Sequence, residues 1–207
     1  MNLFDATTII RAGGYITIFA ILFAETGILV GFFLPGDTLL FSAGFLASAG
    51  YLNLMALILV AFLAAVLGDS LGYGLGKKFG RKVFTRNRSV LLHPDNIRRA
   101  EKFYQQHDGK ALIAARFVPL LRTIAPILAG VGSMRYRNFA IYNITGAALW
   151  IIGLSLIGYY LAQIIPNADR YVLGVVFGIL ALSVLPSVLA FIRLRLSKRE
   201  QNGTPTY

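Results

Sequence analysis

Cysteine is absent from the 207 residues, histidine occurs twice and acidic residues number only nine. Without cysteine the chain has no disulfide framework and no thiolate chemistry. His93 and His107 both lie in one polar stretch and read as solvated side chains, which speaks against a lipid phosphatase working through paired histidines. No nucleophile, base or metal constellation occurs at a workable spacing, so the expectation is no enzyme, no metal and no cofactor. Charge is scarce as well: 14% of residues are charged and 57% hydrophobic, whereas a soluble domain carries roughly 25% charged residues. The chain is an integral membrane protein. Its net charge of +11 sits in short segments between apolar runs, where it meets anionic lipid headgroups rather than nucleic acid. The N-terminal MNLFDATTIIRAGGY has an acid before its first base and no small-residue cleavage site after a compact apolar core, so no cleaved signal peptide is expected.

Three stretches, about 52–76, 138–163 and 168–192, reach roughly 37 to 39 Å as helices, enough to cross a hydrocarbon core about 30 Å thick. Residues 38–50, 111–118 and 123–134 are too short to span alone. The short segments meet at Pro35-Gly36 in one case and at Pro119 in the other, with Pro126 a further expected break. A helix that stops at a proline within the bilayer leaves backbone groups that only protein or a wet cavity can satisfy. The reading is therefore two re-entrant helical hairpins plus about three full transmembrane helices, an all-α polytopic fold. A single span over 15–34, which is 20 residues long, is the alternative for the first hairpin.

Sixteen of the twenty Lys and Arg fall within 77–110, at Arg135 and Arg137, and in 193–199, which places those segments on the cytoplasmic side. The two hairpins then enter from opposite faces and point at each other. The chain also repeats itself at an offset of about 85 residues: YLNLMALI from Tyr51 is answered by YRNFAIYN from Tyr136, and Ala43-Gly44 by Ala129-Gly130. An inverted repeat follows, with hairpin-plus-helix units at 13–80 and 110–163, a final helix at 168–192 and a cytoplasmic tail at 193–207. Between the units, 94–107 has the pattern of an amphipathic helix in the interface plane: Ile97, Ala100, Phe103 and Tyr104 share one face.

Five charged residues lie in apolar context: Glu25, Asp37, Asp69, Arg116 and Arg122. Each costs at least about 2.5 to 3.5 kcal/mol at bilayer depth and needs a partner or water. Arg116 and Arg122 flank Pro119, and two guanidiniums at a helix break suit the oxygens of a phosphate headgroup. Glu25 and Asp37 are expected to face both arginines from the opposite hairpin, where carboxylates can take up protons and couple movement to a proton gradient. Internal ion pairing that merely holds the hairpins together explains the same residues. Asp69, near the inner end of its helix, is expected to reach toward the headgroups and to play a supporting part, with Pro35, Gly36 and Pro119. Gly68, Gly72 and Gly76 recur every fourth residue and open one face to close packing. GYGLGKK is not a phosphate loop, because the first glycine of that motif would fall on Leu71.

These residues form blocks: Glu25 separated by nine residues from PGD, GDxxGYxxGxxxG from Gly68 to Gly80, and RFxPxxR from Arg116 followed after six residues by Ala129-Gly130. Together they resemble the DedA family of membrane proteins, related to the VTT-domain lipid scramblases, over about residues 13–150. The resemblance implies opposed re-entrant hairpins, a bacterial inner-membrane location and movement of phospholipid or polyprenyl phosphate between leaflets. It also implies links to undecaprenyl phosphate recycling, envelope integrity and proton motive force. Family residues thought to matter map onto Glu25, Asp37, Arg116 and Arg122. The leading expectation is a flippase for an anionic phosphate lipid such as undecaprenyl phosphate, with Arg116 and Arg122 on the phosphate and Glu25 and Asp37 coupling protons. The alternatives are a proton-coupled cation or drug exporter, or a non-transporting membrane scaffold. The oligomeric state is left open.

Overall fold

The computed structural model describes residues 6–27, 36–83 and 109–164. Every regular element among them is a helix: α1 (Ala6–Gly27), α2 (Gly36–Ser48), α3 (Leu54–Val83), α4 (Lys110–Ala115), α5 (Pro119–Val131) and α6 (Tyr136–Ile164). The expected interfacial helix at 94–107, the last span at 168–192, the tail at 193–207, Pro35 and both histidines lie outside the described residues.

Two helices are long and apolar enough to cross a membrane, over Leu54–Lys78 and Tyr136–Ile164. The apolar part of α1, Gly13–Gly27, and that of α5, Leu121–Val131, are shorter. At 1.5 Å per residue these described stretches reach about 22 and 16 Å.

The faces of α3 are the reverse of a soluble helix. Met55, Leu59, Leu63, Leu67, Leu71 and Leu75 recur at every fourth position and are all exposed. The buried face carries Ala61, Ala64, Ala65, Gly68, Asp69, Gly72 and Tyr73. Lipid tails solvate leucine as well as a protein core does, so the small residues turn inward, where they let backbones approach.

That approach is reciprocal between the two apolar units. The long helix α3 packs on the short helix α5, and α6 packs on α2. A Cβ added at Gly76 would overlap the Ile127 carbonyl, and one at Gly130 the Tyr73 carbonyl. In the second contact, Gly44 meets the Ser155 carbonyl and Gly158 the Phe41 carbonyl in the same way. Each short helix is thereby seated on the long helix distant from it in the chain, and α1 closes against α3 where Gly27 meets Gly68.

Matching turns lead into the two spanning helices. After α2, Tyr51 N–H donates to the Leu46 carbonyl (3.0 Å) and Gly50 N–H to Ala47 (3.1 Å), with Gly50 at φ 80°. After α5, Met134 N–H donates to Ala129 (3.1 Å) and Ser133 N–H to Gly130 (3.3 Å), with Ser133 at φ 55°. Both are Schellman closures, which satisfy the last carbonyls of each helix. The start of α3 is then fixed by Asn53, whose Oδ1 accepts the Ala56 N–H at 3.0 Å while its own N–H donates to the Tyr15 hydroxyl at 2.7 Å.

The break expected at Pro119 is present. α4 stops at Ala115, Val118 is extended (φ −115°, ψ 113°), and Pro119 opens α5. The residue before a proline is driven out of the helical region, and proline itself fits the first helical position because its missing N–H has no helical partner there. The further break expected at Pro126 does not occur: α5 runs through it to Val131. Pro126 lies one turn beyond Arg122, so its missing N–H leaves only the Arg122 carbonyl without a helical donor, a local loss that tight packing on α3 tolerates.

Gly130→Ala is expected to lower stability by about 1 to 3 kcal/mol, because backbone rather than a pliable side chain blocks the new methyl group. Gly74→Ala, with nothing within 4 Å of its Cβ, should be neutral or stabilising by up to about 1 kcal/mol. Denaturation of the purified protein in micelles compares the two directly.

Candidate functional site: two arginines in a buried charge cluster

Arg122 stands in the first turns of α5, just inside the break, and three helices reach it. Its Nη2 donates to Glu25 Oε1 of α1, and its Nη1 donates to Asp37 Oδ1 of α2. The Trp150 ring of α6 lies over the guanidinium, 4.7 Å from the carbon to the ring centroid, a cation–π arrangement that strengthens away from water. Arg122 Nε has no hydrogen-bond partner among the described residues.

The N-terminus of α2 helps collect the two acids. Asp37 lies in its first turn, and Glu25 packs against Gly36, where an added Cβ would overlap the carboxylate oxygen Oε2. The positive end of the helix dipole favours both anions there. Gly36 is thus a close-approach glycine, set there by the glutamate across from it. The two acids differ in access: the Glu25 side chain is 2% exposed and that of Asp37 is 41% exposed.

Arg116 has different partners. Its Nη2 donates to Asp69 Oδ2 of α3 and to Asn143 Oδ1 of α6. Asn143 in turn donates through Nδ2 to the Val66 carbonyl at 3.2 Å. Glu25 and Asp37 therefore meet one arginine, Arg122, and not both as the sequence led us to expect. Asp69, expected near the headgroups, is 3% exposed and is the direct counter-charge of Arg116. The physical reason is the glycine face of α3: Gly68, Gly72 and Gly76 draw α1 and α5 onto that helix, which encloses Asp69 on the same side.

Between the two ion-pair groups lies a cavity of about 10 Å³, lined by Asp69, Arg116, Arg122, Pro126, Phe139 and Asn143. That is room for about one water molecule. That cavity has no space for a headgroup, and both arginines are paired with the protein's own acids. Among the described residues no group of three or more His, Cys, Asp or Glu could hold a metal ion.

Asn143 and Trp150 escaped the sequence reading. Each carried a signal: Asn143 is an amide deep within an apolar helix, and Trp150 is the sole tryptophan, set mid-helix rather than at the membrane interface that tryptophan favours.

Residues 34–160 match the VTT domain. Protein DedA of Escherichia coli (strain K12) is 43% identical over 181 residues, covering 86% of this chain and 82% of that protein. The inner membrane protein YghB of the same organism is 34% identical over 157 residues, covering 76% and 71% respectively. The inner membrane protein YqjA, also from that strain, is 33% identical over 149 residues, covering 72% and 68%. No solved structure matches the chain.

Removing one member of a buried ion pair strands the other, at a cost of about 3 to 5 kcal/mol, whereas replacing both by apolar residues is often near neutral. Arg116→Leu is accordingly expected to destabilise more than the double variant Arg116→Leu/Asp69→Leu. Unfolding measurements on the two proteins check the order.

Proposed function

This chain belongs to the VTT-domain family of DedA-like membrane proteins, and from that premise we propose that it moves an anionic phosphate lipid between the leaflets of a bacterial inner membrane. The substrate we propose is undecaprenyl phosphate. The observation that carries the reading is Arg122: a guanidinium buried among apolar helices, held by two carboxylates and an aromatic face, at a helix break. In this reading the break is the tip of a re-entrant hairpin, opposed by a second one formed by α1 and α2. The crossed seating of each short helix on the other unit's long helix supports an inverted repeat of that kind.

The chemistry is a competition. A phosphate and a carboxylate present the same kind of oxygen pair to a guanidinium. A headgroup arriving beside the accessible Asp37 takes its place on Arg122, and the Nε–H, which has no partner among the described residues, supplies a further donor. With a phosphate on Arg122 as well, the buried Glu25 no longer has the guanidinium to itself, and an acid at that depth short of counter-charge takes up a proton. Headgroup binding and proton uptake by Glu25 are thereby linked, and the tail stays in lipid throughout. Without protons, the acids reclaim Arg122 and the site closes to the one-water cavity.

One observation favours a second reading. The cluster holds three carboxylates, Glu25, Asp37 and Asp69, against two guanidiniums. An excess of one negative charge suits a proton-coupled exporter of cations, in which the arginines serve only as internal partners.

Protein reconstituted in liposomes should move labelled undecaprenyl phosphate between leaflets, faster when the headgroup-donating side is acidic. Arg122→Ala should cut the rate by about tenfold or more, the loss of a charge-assisted bond in the transport path. Glu25→Gln should flatten the dependence on pH. Wild-type lipid movement in Arg122→Ala overturns the phosphate reading. Inhibition by soluble cations with no lipid movement supports the exporter.

A further inference from the structure

The partners of Arg116 are unlike those of Arg122 in one respect. Arg122 is held by two ionisable acids, whereas Arg116 is held by one acid and one amide. An amide cannot lose or gain charge. Whatever happens to Asp69, through protonation or through a competing anion, the Asn143 carbonyl still accepts from the guanidinium.

The amide is itself oriented. Its Nδ2 is committed to the Val66 carbonyl at 3.2 Å; the flipped amide would turn donors toward the guanidinium and oxygen toward oxygen. One turn further along α6, Gly146 opens a slot for the arginine stem, since a Cβ there would come within 2.9 Å of Arg116 Cδ and 3.2 Å of its Nε. Asn143, Gly146, Ala147 and Trp150 share one buried face of α6. Asn143 and Trp150, seven residues apart, are separated by about 10 Å along the axis. One grips Arg116 and the other covers Arg122. The face of α6 therefore sets the spacing of the two guanidiniums on either side of the small cavity.

We propose that Asn143, with the stem slot at Gly146, is a positioning residue that keeps Arg116 in place independently of the charge on Asp69. The placement of Arg116 stands on contacts alone; its part in transport rests on the headgroup reading above.

The test separates these. Full-length protein in lipid nanodiscs is treated with phenylglyoxal, which modifies arginines, and peptides bearing Arg116 and Arg122 are followed by mass spectrometry. Asn143→Leu, with the same number and branching of side-chain heavy atoms but without an acceptor, should speed modification of Arg116 by about tenfold, the loss of a hydrogen bond to a charged group, and leave Arg122 nearly unchanged. Asn143→Asp keeps an acceptor and should keep Arg116 protected. It should also shift lipid movement to lower pH, because Arg116 then carries two acids, as Arg122 does. Gly146→Ala, which leaves the amide intact, should raise Arg116 reactivity too and serves if Asn143→Leu does not fold. Unchanged Arg116 protection in Asn143→Leu, or in Gly146→Ala where that variant stands in for it, overturns the proposal. Protection lost as expected in a protein whose wild type moves no phosphate lipid leaves the positioning role standing and removes the transport reading.

Discussion

The contact of Arg122 with Glu25 and Asp37 constrains the whole arrangement. A guanidinium cannot be neutralised by losing its proton, so placing one among apolar helices obliges the fold to bring carboxylates to it. Those carboxylates come from α1 and α2, while Arg122 belongs to α5. The short helices of the two units must therefore meet, and the shapes of the surrounding elements follow from letting them do so. Gly36 makes room for Glu25, and Trp150 covers the remaining face of the arginine.

The glycine contacts are the mechanical counterpart of that electrostatic demand. In lipid there is little hydrophobic drive between helices, so close backbone contact supplies much of the adhesion. Gly76 and Gly130 press α3 and α5 together, and Gly44 and Gly158 do the same for α2 and α6. Because each contact joins one unit to the other, rigid adhesion and charge pairing act across the same boundary. The cluster joins the two sides by ion pairs, whose strength depends on protonation, in addition to apolar contact, whose strength does not.

The two arginines, which look alike in sequence, occupy different settings. Arg122 is near a partly exposed acid, and Arg116 is sealed between α3 and α6. The first guanidinium is held by two acids, and the second by a neutral amide as well as by an acid. The cavity between them has room for about one water molecule, so the two groups adjoin a shared polar space.

Much of this was legible beforehand because the bilayer imposes simple rules. Apolar length marked out the two described spans, proline marked the break at 119, and the rarity of charge in apolar runs singled out Glu25, Asp37, Asp69, Arg116 and Arg122. Those inferences concern one segment and its solvent at a time, which is information a sequence holds. Which acid meets which arginine depends on how helices distant in the chain are rotated and seated, and only the tertiary structure decided it. Asp69 went to Arg116 because the glycine face of α3 closes on that side, and Asn143 and Trp150 joined the site because seven residues of helix return them to one face. Pro126 stayed within its helix for the same kind of reason: packing on α3 outweighed the local cost of a missing donor.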